Sequence, residues 1–322
     1  MIQIGILGSS GYTAGELLRL LLHHPKVQIK SVVSSTQSGI EVSKIHQDLL
    51  GDTELCFTDH LEDVEVVFLC LGHGHSRNAV KKISTNSCII DLSHDFRLSK
   101  NAHFSGRNFV YGLPELQRQA IKKAKNIANP GCFATAIELP LLPLAKERWL
   151  DNDIHISAIT GSSGSGRLLR ESNHFSWRVN NVTTYKVFTH QHLKEIREVL
   201  FRLCPSFNKK LFFVPYRGNF SRGIFATLYT YCKAPLQEVE FLYQEFYKNH
   251  PFTHLSKDPL CLKQVVNTNK CLLHLMKEKE QLIISSVIDN LVKGAAGQAV
   301  QNMNLMSNLE EVMGLQIKSI AF

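Results

Sequence analysis

The opening stretch MIQIGILGSSGYTAGELLRLLLHHP (residues 1–25) decides the fold of this chain. Residues 2–7 form a short apolar run ended by glycine, the signature of a strand. Residues 14–23 carry leucines at helical spacing and are stopped by Pro25. Between them lies the turn Gly8-Ser9-Ser10-Gly11-Tyr12-Thr13-Ala14-Gly15. Strand, glycine-rich turn and helix together make a pyrophosphate site. Backbone N–H groups approach the phosphates, and the helix N-terminus supplies partial positive charge. The spacing is G-x-x-G-x-x-x-G rather than G-x-G-x-x-G, and its place in the first βα unit favours the binding reading over a plain turn. Gly8, Ser10, Gly11, Tyr12 and Thr13 are the candidate cofactor contacts of this loop.

Further apolar, β-branched runs follow at 29–35, 64–71 and 87–93, of the kind buried on both faces. Alternating strands and helices imply a parallel sheet. The second strand ends at Ser34 and Ser35, where NAD sites usually place an acid for the ribose 2′-hydroxyl. With no carboxylate there and hydroxyls available to a 2′-phosphate, the expected cofactor is NADP(H). From residue 154 the character changes. IHISAIT, KKLFFVPY, GIFATLYTYC, CLLHLMK and LIISSVI read as strands, KEKE (277–280) as a hairpin turn, and 191–203 and 236–248 as helices. This half is expected to be a mixed α+β domain with a large antiparallel component. GAAGQAVQNMNLM (294–306) reads as a helix that returns to the first domain. The expected division is 1–131 completed by 290–322, and 132–289.

The 322 residues are 44% hydrophobic and 20% charged, ordinary for a soluble protein of two domains. No apolar run is long enough to span a bilayer and no signal peptide is evident, so no membrane partner is expected and the cytoplasm is the default location. The net charge of +8 is dispersed without a basic stripe, so nucleic acid is not an expected partner. No pair of the eight cysteines has C-x-x-C spacing, and no metal site is expected.

Cys132 stands apart from the other cysteines. Asn-Pro-Gly-Cys-Phe-Ala-Thr (129–135) places it between a tight turn and the helical AIELPLLPLAKE. A thiol at a helix start has its pKa lowered by the helix dipole. The backbone N–H of Cys132 and the side chain of Asn129 are candidates to hold a developing oxyanion. A nucleophile needs a proton carrier, and His190-Gln191-His192-Leu193-Lys194-Glu195 supplies the candidates, with Glu195 three residues beyond His192 and able to orient its ring.

The motifs GSSGYTAGEL (8–17), DLSHDFRL (91–98), YGLPEL (111–116), NPGCFAT (129–135), GSSGSGR (161–167), HQHLKEI (190–196), SRGIFAT (221–227) and DNLVKGAAGQAVQNMNLM (289–306) run in one order along almost the whole chain. In these the sequence resembles the N-acetyl-γ-glutamyl-phosphate reductase family. It departs from the family pattern at Lys194, where proline is usual, and at Gln191, where arginine is common. The resemblance implies an α/β fold: a Rossmann-type NADP-binding domain plus an α+β catalytic and dimerisation domain, assembled as a homodimer or homotetramer. It implies attack by Cys132 on an acyl phosphate substrate, hydride transfer from NADPH to the thioester, and His192 rather than His190 as the base. Arg97 resembles a phosphate-holding arginine, and Arg97, His190, Glu195 and Arg222 form the implied substrate-binding set. Ser162, Gly164 and Gly166 resemble a loop against the nicotinamide, and Asn290 and Lys293 a second cofactor contact. Aspartate-semialdehyde dehydrogenase and a non-catalytic NADP-binding redox sensor are the alternatives weighed. Acetyl is the default acyl group on the substrate nitrogen, and succinyl stays open.

Overall fold

The apolar run at 2–7 becomes the strand β1 (Ile2–Leu7), and the leucine-rich segment after it becomes α1 (Tyr12–Leu22), which buries Ala14, Leu17, Leu18 and Leu21. The computed structural model describes residues 1–320 and divides into two compact units. The first holds Met1–Gly131 with Ala295–Gln316, the second Cys132–Gly294 with the residues from Ile317.

In the first unit the chain continues through β2 (Val27–Val33), α2 (Val42–Ile45), β3 (Val66–Leu69), α3 (Ser76–Val80), β4 (Cys88–Asp91), β5 (His103–Phe104), β6 (Arg107–Tyr111), α4 (Pro114–Lys122) and β7 (Asn126–Ala128). The sheet order is β2-β1-β3-β4-β7-β6-β5, parallel except for the β5–β6 pair. The chain leaves β1 to one side for β2 and returns on the other side for β3. That reversal is a switch point, and open α/β sheets bind ligands at the carboxyl ends of strands beside one. The glycine-rich turn lies at the carboxyl end of β1.

The second unit opens with α5 (Cys132–Lys146) and continues through β8 (Ile154–Thr160), α6 (Phe175–Arg178), β9 (Thr183–Thr184), α7 (His192–Leu203), β10 (Leu211–Arg217), β11 (Ile224–Tyr231), α8 (Leu236–Tyr247), β12 (Thr253–Ser256), β13 (Cys271–Glu278) and β14 (Gln281–Ile288). The mixed sheet runs β12-β13-β14-β11-β8-β10-β9. Only β8–β10 and β12–β13 pair in parallel. β13 and β14 form the expected hairpin, turning at Lys279, whose φ is 53°. α5 is buried along nearly its whole length and packs on β11, β13, β14, α7 and α8.

The last helix, α9 (Gly297–Met306), packs on α1, α4 and β4 of the first unit. The return occurs after Gly294, later than the expected residue 290. The reason is local bonding. Asn290 accepts from the Gly223 N–H at 2.7 Å, and Asp289 accepts from the N–H groups of Asn267, Leu291 and Val292, so this segment stays tied to the second unit.

Candidate active site

In the first unit the glycines of the opening turn do different things. Gly8 has φ of 79°, and a Cβ there would lie 2.7 Å from the Cys70 carbonyl oxygen, so the strand exit itself requires glycine. The N–H groups of Gly8 and Ser9 and the Ser9 hydroxyl all donate to the Val33 carbonyl. Gly11 faces open space, with nothing within 4 Å of a built Cβ. α1 starts beside it with no side-chain cap and no acidic residue in its first turn. An uncapped helix start next to an unfilled space suits a pyrophosphate. Gly15 needs a different explanation from the phosphate approach expected of the loop glycines. A Cβ there would meet His46 Nδ1 at 2.6 Å, while His46 Nε2 donates to the Ser9 carbonyl at 2.7 Å. Gly15 makes room for an imidazole that props the loop from behind. Ser34 is buried, its N–H donating to Thr58, whereas Ser35 is exposed. Of the two serines, Ser35 is the one with a hydroxyl at the surface.

Two carboxylates tie the loops after β3 and β4 together. Asp91 accepts from the Ser76 and Ser93 hydroxyls at 2.6 and 2.7 Å, and burial lifts its carboxyl to about 6. Asp95 accepts from the Gly74 and Ser76 N–H groups and from His94 Nδ1. Arg97 is buried in the same loop, donating from Nε to the Asn129 carbonyl at 2.8 Å and from Nη2 to the Leu92 carbonyl at 3.0 Å. The Asn129 side chain, expected as an oxyanion contact, is bonded inside the first unit. Its Nδ2 donates to the Ala295 carbonyl and its Oδ1 accepts from Asn302, so the amide ties the end of β7 to α9 and supports the backbone that holds Arg97.

The second unit carries the nucleophile. Cys132 is partly exposed at the first position of α5. A Cβ on Gly294 would lie 2.8 Å from the Cys132 Cβ, so that glycine lets the chain pass close to the thiol-bearing residue. Phe133 is buried and meets His190 and His192 edge-on at 5.3 and 6.4 Å. The two imidazoles lie 4.6 Å apart. They differ in chemistry. His190 Nδ1 accepts the His192 N–H at 3.2 Å, and burial, with Lys186 and Arg217 adding repulsion, holds its pKa down at about 4. His190 is therefore a neutral ring with one nitrogen already engaged. His192 begins α7, and Glu195 is buried one turn further along.

Sequence reasoning did not identify Tyr185 or Arg217. Tyr185 lies edge-on to His190 at 5.9 Å, under the Arg217 guanidinium at 4.7 Å. Burial first, and the Cys132 charge second, push the Tyr185 hydroxyl up to about 12. The only available signal was position, in the segment just before the histidine pair.

Around β11 the Arg222 guanidinium is held by Asp289 through Nε at 3.1 Å and Nη2 at 3.3 Å. Ser162 opens a short 3₁₀ turn (Ser162–Ser165) in which Gly164 and Gly166 are exposed, and Gly166 has φ of 74°. Asn290 and Lys293, the residues expected to make a second cofactor contact, are both buried. Lys293 is fully enclosed with its ammonium 5.8 Å from the Phe252 ring centroid, and both ends of the Asn290 amide bond to Gly223 and Ser163. The Asn290 amide joins the Gly223 N–H to the Ser163 hydroxyl.

Residues 3–124 match the semialdehyde dehydrogenase NAD-binding domain and residues 132–290 the semialdehyde dehydrogenase dimerisation domain. Among similar proteins, the N-acetyl-gamma-glutamyl-phosphate reductase of Flavobacterium johnsoniae is 55% identical, with 100% of both chains covered. That of Karelsulcia muelleri is 52% identical over 99% of each. The solved aspartate semialdehyde dehydrogenase II of Vibrio cholerae superposes with a TM-score of 0.72 at 15% identity, covering 96% of this chain and 99% of its own, a likeness of fold. No helix among the described residues is long and apolar enough to cross a membrane. The chain belongs to the N-acetyl-γ-glutamyl-phosphate reductase family, built from the semialdehyde dehydrogenase NAD-binding and dimerisation domains.

Proposed function

We propose that this protein reduces N-acetyl-γ-glutamyl phosphate to the γ-semialdehyde and phosphate through a thioester on Cys132, with NADPH as reductant, in the cytoplasm, as a homodimer or homotetramer. The observation that carries the reading is the partly exposed Cys132 at the start of α5 in the same cluster as the His190–His192 pair. The Cys132 sulfur adds to the acyl carbon, and the C–O bond to phosphate breaks. Backbone N–H groups at the α5 start face the charge that develops on the carbonyl oxygen. Arg97, with its guanidinium fixed by two carbonyls, holds the leaving phosphate. When bound, NADPH supplies hydride to the thioester carbonyl. His192 then moves the proton that lets the C–S bond break and the aldehyde leave. His190, neutral and engaged at Nδ1, fixes the start of α7 instead. Gly11, the uncapped first turn of α1 with Ser10, Tyr12 and Thr13, exposed Ser35, and the Ser162–Gly166 turn are the surfaces proposed for the dinucleotide.

The test is reduction of NADP⁺ with N-acetylglutamate semialdehyde and phosphate, beside aspartate semialdehyde as the competing substrate. The acetylglutamyl substrate should be strongly preferred. Intact-mass analysis should find an acyl adduct on Cys132, and Cys132→Ser should bind NADPH yet lose nearly all turnover. Normal turnover by Cys132→Ser, or preference for the aspartate compound, overturns the assignment.

A further inference from the structure

In the second unit Arg217, Lys186 and Arg178 form a cluster of positive charge near His190. Arg217 ends β10 with its guanidinium stacked over the Tyr185 ring at 4.7 Å. Tyr185 meets His190, and His190 meets Phe133, the neighbour of Cys132. Among the described residues no carboxylate pairs with Arg217, and its Nε is buried without a hydrogen-bond partner. Lys186 and Arg178 add to the cluster. Lys186 bonds the neutral amide of Gln191, and Arg178 bonds the carbonyls of Ser172 and Arg217 itself, so neither is neutralised by those contacts. Arg222, by contrast, is compensated by the fully buried Asp289. The Tyr185 hydroxyl also accepts a hydrogen bond from the Arg217 guanidinium, while the desolvated Nε of that arginine is left unpaired at a cost in free energy. An arginine fork anchored in this way is preorganised for a carboxylate.

We propose that Arg217 is a specificity-determining residue of this site, receiving a carboxylate of the acylated glutamyl substrate, with Tyr185 as the platform that sets the fork. The inference rests on the reading of Cys132 as the nucleophile. Two carboxylates have the required chemistry: the α-carboxylate of the glutamyl unit, and the terminal carboxylate of a dicarboxylic N-acyl group such as succinyl. The first would be present in every substrate of the class, the second only in the dicarboxylic one.

The experiment compares wild type, Arg217→Ala and Arg217→Lys on N-acetyl- and N-succinyl-glutamate semialdehyde, with kcat and KM resolved and with NADPH affinity and Tm measured on each variant. Arg217→Ala should raise KM about 10- to 100-fold, the usual effect of losing a hydrogen bond to a charged group, with a much smaller change in kcat. Arg217→Lys should recover part of it. Loss on both substrates identifies the α-carboxylate, and loss confined to the succinyl compound identifies the acyl carboxylate. Either result supports the proposal if NADPH affinity holds. Unchanged KM on both substrates overturns it, as does a loss that tracks Tm or NADPH affinity instead of substrate. Should Arg217→Ala fail to fold, Arg217→Gln keeps the aliphatic stem and a polar end while removing the charge, and the same KM criterion applies. A wild type that turns over neither compound would instead overturn the proposed reaction on which the inference rests, a distinguishable failure.

Discussion

His190 and His192 stand two residues apart, and their surroundings give them different chemistry. A base must be able to accept a proton near neutrality. His190 sits among Phe133, Tyr185 and Phe213 with Lys186 and Arg217 nearby, and its pKa of about 4 leaves it a poor acceptor. Its Nδ1 is further engaged by the His192 N–H. Replacing His192 with Asn should therefore lower kcat by about 10²–10⁴, the range for loss of a general acid–base group. His190→Asn should cost less, and its effect should lie mainly in KM. Steady-state kinetics on the two variants decide the matter, and the reverse ranking would move the proton to His190.

At the scale of elements, α5 poses a problem that its neighbour α8 solves. The helix that begins at Cys132 contains Pro140 and Pro143. A proline offers no N–H to the carbonyl four residues before it, so Pro143 leaves the Leu139 carbonyl without its helical donor. The buried Tyr247 hydroxyl of α8 donates to that carbonyl, and the Tyr243 hydroxyl donates to the Pro140 carbonyl at 2.5 Å. Burial holds the Tyr243 hydroxyl well above its usual range, so it stays protonated as a donor. Tyr247→Phe should lower stability by about 1–3 kcal/mol, the cost of leaving a buried acceptor unpaired, while kcat changes little. Thermal unfolding beside the reductase assay checks this. An unchanged Tm would mean that the carbonyl is satisfied by other means.

For the molecule as a whole, burial sets the response to acid. His190, with a folded pKa of about 4 against 6.5, and His24 and His254, also lowered, are held neutral chiefly by burial. The unfolded chain takes up those protons first. Their stabilising effect is complete above the ordinary histidine range and is lost as pH falls toward the folded values. Asp91 opposes this: its carboxyl is raised from 3.8 to about 6, so the folded form binds its proton earlier and gains stability as pH falls through that window. The His190 loss sets in at 6.5, before the Asp91 gain that begins at about 6, so Tm should fall between pH 7 and pH 5. The fall should be shallower in His190→Asn and steeper in Asp91→Asn. A wild-type Tm that rises on acidification would contradict the balance.

Local pattern was enough for much of this protein. The period of apolar residues placed β1 to β4, α1 and the long strands and helices of the second half, because burial of a face imposes that period on any sequence. Short elements such as β5, β6, β7, α3 and α4 were not read from it. The turn at Gly8–Gly11 and the step from Pro130-Gly131 into the helix at Cys132 were legible because backbone geometry selects residue types within a few positions. Other assignments depend on residues far apart in the chain. Gly15 answers to His46, Asn129 to Ala295 and Asn302, and the Arg217 fork to Tyr185. The enclosure of Lys293 likewise leaves no mark in its neighbours along the sequence. A side chain's task is set by what lies within a few ångströms of it. Sequence spacing reports that only within one element, and across elements only the folded packing decides it.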